Sequence, residues 1–163
     1  MTDQPTEHRT IALEMQVTRY DVSYARREIT VLGGNAEAGV HTDGIISLRV
    51  EGAEYEGAPV SDVFLFLLGP HQPRESVGEI SQFPDTPPFS GAWLWLPLAD
   101  LPHVLATLAA ERPTTAKIFY DSVPTSPSPF PSNRLTFFEL QSRLTTETAD
   151  RVERFRETAH RRR

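Results

Sequence analysis

The sequence predicts a single β-rich α+β domain. The expected architecture is a predominantly antiparallel sheet or sandwich of about eight strands, with one packed amphipathic helix and a C-terminal helix. Three observations lead there. Apolar residues alternate with polar ones in long proline-free stretches, the period of a half-buried strand. Only one segment of the body switches to helical spacing. The strands follow one another directly, with a single strand–helix–strand unit between Trp93 and Tyr120.

Ile11, Leu13, Met15 and Val17 alternate and predict the first strand. The apolar phase then moves to Tyr20, Val22 and Tyr24, so one extra residue is expected near Thr18–Arg19 as a bulge or bend. Ile29 and Val31 open a second predicted strand, stopped by Leu32-Gly33-Gly34-Asn35. Gly44–Val50 is a third, and Glu51–Gly57 reads as an acidic loop. Val60–Leu68 is apolar on both faces after Asp62, the pattern of a central strand covered on both sides. Ser76–Phe83 is weaker, and Phe89–Leu96 is strong.

Leu101, Val104, Leu105 and Leu108 then recur at helical spacing, with Asp100 as N-cap and Pro102 tolerated in the first turn. This helix is a right-handed crossover if the flanking strands are parallel neighbours. Ala116–Tyr120 and Leu135–Leu144 are further strands. Thr145 or Thr146 can cap a last helix carrying Val152, Phe155 and Ala159. The expected division is a flexible segment 1–8, a β-rich domain 9–145 and a charged C-terminal helix or tail 146–163.

The 163 residues carry a net charge of −6 and no cysteine, which excludes disulfides, thiolate nucleophiles and cysteine-bound zinc. The tail from Thr146 holds six arginines against Glu147, Asp150, Glu153 and Glu157, so the acidity resides in the body. An acidic body repels phosphate backbones and favours encounter with a basic protein. No nucleic acid is expected on it; only the arginine tail could make such a contact. No apolar run is long enough to span a membrane, and Met1–Arg9 lacks an apolar export core, so the expected location is cytoplasmic.

Motifs for chemistry are weak. Gly34–Gly39 has the glycine spacing of a phosphate loop, but Val40 and His41 stand where lysine and a hydroxyl residue are required. His41, Asp43 and His71 are the best metal-ligand candidates, without the second closely spaced histidine of a defined site. No nucleophile elbow or His-Glu-x-x-His is present. Asp62 and Asp121 adjoin apolar segments, where ion pairing to Arg49 or Arg134 would offset the cost of charge. No cofactor is expected.

Trp93 and Trp95 share one strand face, which Phe89 joins; that face is either core or the best contact surface in the chain. Pro124–Pro131 is a stiff proline-rich loop with Phe130 as an apolar anchor. The expected contact residues are therefore Trp93, Trp95, Tyr120, Phe130, Glu51, Glu54 and Glu56. The function these features favour is a non-catalytic protein-binding module, for example an acidic inhibitor or immunity-type protein that neutralises a basic partner. A homo-oligomer through the Val60–Leu68 or Trp93–Leu96 region is compatible with it. The alternatives are a small-ligand or carbohydrate-binding β-sandwich using Trp93, Trp95 and Tyr120, and a metal-dependent hydrolase using His41, Asp43 and His71.

Overall fold

The computed structural model describes residues 9–29, 39–69, 76–110, 112–125 and 131–142, with backbone alone at 27–29 and 39–43. Among the described residues there are eight strands: β1 (Thr10–Ile29), β2 (Gly39–Glu51), β3 (Glu54–Tyr55), β4 (Ala58–Leu68), β5 (Gly78–Phe83), β6 (Phe89–Pro97), β7 (Thr114–Pro124) and β8 (Ser132–Ser142). The one α-helix among them, α1 (Leu101–Leu108), follows a 3₁₀ turn at Leu98–Asp100.

The expected α+β sandwich is not what forms. The strands run in the order β2-β1-β7-β8-β5-β6-β4, and β4 pairs again with β2, so seven strands close into a barrel. The short β3 adds to β4 outside that ring. Six of the ladders are antiparallel and one, β4 with β6, is parallel, which makes the barrel mixed. Alternation along a strand states which face is buried. It does not state whether the sheet curls until its edges meet, and closure removes the open edges a sandwich would keep. The predicted C-terminal helix lies outside the described residues, as does segment 1–8.

β1 is what lets the ring close. Its first half pairs with β7 from Thr10 to Val17, and its second half pairs with β2 up to Ile29. The register slips between Val17 and Arg19, where the shift of apolar phase predicts an extra residue. The predicted break before Ile29 is absent, because β1 runs through it as one strand. A second slip between Val60 and Asp62 in β4 keeps Val60, Val63, Leu65 and Leu67 all facing inward.

The interior is filled with side chains. Met15, Ile46, Leu48, Val63, Leu65, Leu67, Ile80, Leu94, Ile118 and Leu135 are all buried, drawn from every strand of the ring. Such a barrel is packed core rather than a container. α1 begins where Pro97 ends β6, and its Val104 and Leu108 are buried in the same core, with Leu101 and Leu105 against it. The apolar stripe is as the spacing predicts, but α1 is no crossover between neighbours, since β6 and β7 do not touch in the sheet. Asp100 occupies the N-cap without a side-chain bond, because the 3₁₀ turn already holds it in helical conformation.

The far end is closed by Tyr55. The predicted acidic loop is here a hairpin: Tyr55 faces Ala58 across a two-residue turn, Glu56-Gly57, with φ of 51° and 78°. Positive φ at both central residues is the requirement of a type I′ turn. Tyr55 points inward, is fully buried, and meets Tyr120 edge to face with ring centroids 5.3 Å apart. Its hydroxyl donates to Asn133 Oδ1, Asn133 Nδ2 donates to the Asp121 carbonyl at 2.6 Å, and Ser90 Oγ donates to the Tyr55 carbonyl at 3.3 Å. Among the described residues every buried side-chain nitrogen and oxygen has a partner.

Candidate functional site

The exposed candidates for recognition lie on the outside of the barrel. The seven expected contact residues are not gathered at one place. Trp93 and Trp95 lie on the outer face of β6, half-buried, neither core nor open surface. Each is laid against a phenylalanine of the parallel neighbour β4: Trp93 with Phe64 at 6.2 Å and Trp95 with Phe66 at 4.9 Å between centroids. Phe83 of β5 bridges Trp93 at 5.3 Å to Phe89 at 4.7 Å. This belt explains why β4 and β6 read as apolar on both faces. Their outer side chains cover one another, where the sequence reading expected a second layer.

Tyr120 faces the other way. It is 6% exposed and sits inside against Tyr55. The carbohydrate-binding set of Trp93, Trp95 and Tyr120 is therefore split between the two faces of the barrel wall. Burial, with Glu56 nearby, raises the Tyr120 hydroxyl above the ordinary tyrosine value. Phe130 lies outside the described residues. The proline-rich segment is tied at its base, where Thr125 donates to the Ser132 carbonyl through its N–H at 2.8 Å and its hydroxyl at 3.0 Å.

His41 and Asp43 are placed by backbone alone, two residues apart in β2, opposite Arg27 and Ala25 of β1. His71 lies outside the described residues. Among the described residues no group of three histidine or carboxylate side chains could hold a metal ion. His103 is exposed on α1. Asp62 is paired with Arg49 at 3.0 Å and accepts from Ser61 Oγ at 2.7 Å on the same oxygen. The Asp121 carboxylate accepts the Val123 N–H at 3.0 Å, holding the turn-like end of β7.

Three of the acidic residues, by contrast, stand on the surface close together in sequence. Glu51 ends β2, Glu54 and Glu56 flank Tyr55, and all three are exposed. Gly52, at φ 97°, turns the chain between them. The buried tyrosine and the paired hairpin hold Glu54 and Glu56 in place, since the alternation that sends Tyr55 inward sends Glu54 outward. Beside Glu51 lies an open cleft of about 550 Å³, lined by Glu14, Met15, Gln16, Glu51, Gly52, Pro113 and Thr115. It sits where β1 leaves β7 for β2, and it brings Glu14, which the sequence reading passed over, into line with Glu51. The signal available in the sequence was Glu14 on the polar side of the first alternating strand.

No helix among the described residues is long and apolar enough to cross a membrane. No family model, no curated protein and no solved structure matches this chain.

Proposed function

We propose that the protein is a non-catalytic protein-binding module whose partner is basic, and that Glu14, Glu51, Glu54 and Glu56 make up its contact surface. The observation that carries this reading is the exposure of Glu51, Glu54 and Glu56 in and beside a paired hairpin, with Glu51 also lining an open cleft. A lysine or arginine side chain of the partner would enter the cleft on the side of the exposed Glu51. Clefts lined by one sign of charge concentrate field and accelerate encounter with the opposite charge. Neutralisation of a basic protein, as an inhibitor or immunity-type protein does, is the form of this function that the charge best suits. The reading keeps the cytoplasmic location expected from the sequence.

The test is affinity capture from an extract of the source cells, repeated at low and high salt. The unmodified chain is compared with the triple variant Glu51→Lys, Glu54→Lys, Glu56→Lys. All three positions are exposed, so the fold should survive. A basic protein should be retained at low salt, released at high salt, and lost by at least about tenfold in the variant, within the range of electrostatic steering. Capture indifferent to both salt and charge reversal, or no capture, would remove this surface from consideration.

A further inference from the structure

Within the closed barrel one stretch of strand edge has no partner among the described residues. β1 pairs with β7 only up to Val17, and from Arg19 to Ile29 it pairs with β2 alone among the described residues. Among the described residues no strand pairs with its other side along the lane that β7 vacates above Thr114. Such edges template pairing with another strand unless proline, charge or a bulge blunts them. The stretch from Arg19 to Ile29 contains no proline and no glycine. It also carries Tyr20, Val22 and Tyr24 on the inward-facing side, yet these are 37%, 46% and 60% exposed. Their neighbours across the ladder, Leu48 and Ile46, are fully buried.

We infer that this edge is a homodimer interface, in which β1 pairs antiparallel with β1 of a second copy about a two-fold axis at Tyr24. An interface of this symmetry must be self-complementary, and few registers of β1 are. An axis at Val22 sets Arg27 opposite Val17, whose edge is already occupied by Thr114. An axis at Ser23 sets Arg19 opposite Arg27, a like-charge pair that costs stability. An axis at Tyr24 sets Tyr24 opposite itself, Ser23 opposite Ala25, and Asp21 opposite Arg27 twice. It ends at Arg19 opposite Ile29, inside the open lane. The Asp21 carboxylate, bridged to Arg19 at 3.1 Å with both side chains largely exposed, is then shared with an arginine position of the other copy. This surface is separate from that of Glu51, Glu54 and Glu56 and does not depend on it.

The chain has no cysteine, so a single introduced thiol reads the register directly. At an antiparallel dyad the Cα atoms are about 4.5 or 5.5 Å apart, both within disulfide reach. The full-length Tyr24→Cys variant should oxidise to a disulfide-linked dimer at micromolar concentration. Thr136→Cys, on an exposed position of β8, should remain thiol under the same conditions. In sedimentation, the unmodified chain should dimerise with rising concentration. Asp21→Arg should weaken that dimer on the order of tenfold, and the pair Asp21→Arg, Arg27→Asp should restore it. A monomer from micromolar to submillimolar concentration would overturn the inference. So would equal cross-linking at both thiol positions, or a dimer unmoved by Asp21→Arg.

Discussion

Replacing Gly78 with alanine is expected to lower stability by about 3 kcal/mol, the upper end of the cost of overpacking. Gly78 is buried and paired on both sides, opposite Leu94 in β6 and Leu135 in β8. A Cβ placed on it would lie 1.9 Å from the Trp93 carbonyl oxygen and 2.9 Å from Leu94 Cα. Those are backbone atoms, so no rotamer change relieves the clash. The adjacent Trp95 N–H bonds the Val77 carbonyl at 2.9 Å, which fixes the approach of the two strands. Only a shift of the β5–β6 ladder could make room, and a closed ring transmits such a shift to its other members. Urea unfolding should show a lower midpoint with an unchanged slope. A loss below about 1 kcal/mol would mean the strands do not approach this closely.

Tyr55 is the second sensitive position. Tyr55→Ala empties the closed end of the barrel and removes the ring packed on Tyr120; large aromatic truncations in cores cost about 3–5 kcal/mol. Tyr55→Phe keeps the ring but leaves Asn133 Oδ1 buried without its donor, a penalty of about 1–3 kcal/mol. The pair of variants separates packing from hydrogen bonding at one site. A phenylalanine variant as damaging as the alanine one would contradict the division.

The same residue sets an alkaline limit. Burial first, then the nearby Glu56 carboxylate and Tyr120, raise the Tyr55 hydroxyl far above its ordinary value of 10.0. The folded state therefore keeps its proton where the unfolded chain has begun to lose it. Stability from this source is fully present below pH 10.0 and declines as pH rises beyond it. In Tyr55→Phe the slope of stability against pH above that value should be shallower, with the remainder due to Tyr120. An unchanged slope would place the alkaline sensitivity elsewhere.

Local features of the fold were legible because they follow from spacing. The β1 bulge shows as a phase change between Val17 and Tyr20, and α1 shows as four leucine and valine positions on one stripe. Ring closure was not legible, because it depends on β4 meeting both β2 and β6, partners brought together by the path of the chain and not by any local pattern. The indoles were misleading for a related reason. Apolar residues on both faces of β4 and β6 suggested burial from both sides, yet Phe64, Phe66, Trp93 and Trp95 shield one another on the outside. Tyr55 was hidden by the glutamates around it; Gly52 and Gly57, both at positive φ, were the punctuation that marked a hairpin there. Glu51, Glu54 and Glu56 were visible as charge, while the hairpin that carries Glu54 and Glu56 was not.

The ladder between β1 and β7 sets Ile11 against Tyr120, joining the start of the barrel to a strand made much later. During synthesis the first half of β1 must wait for that strand, while β2 is already available to its second half and β4 to β2. Assembly of the ring thus ends on its longest-range seam, and domains dominated by such distant pairings fold in milliseconds to seconds rather than microseconds. The nascent chain is most vulnerable to wrong strand partners in that interval, along the very residues that later seal the wall.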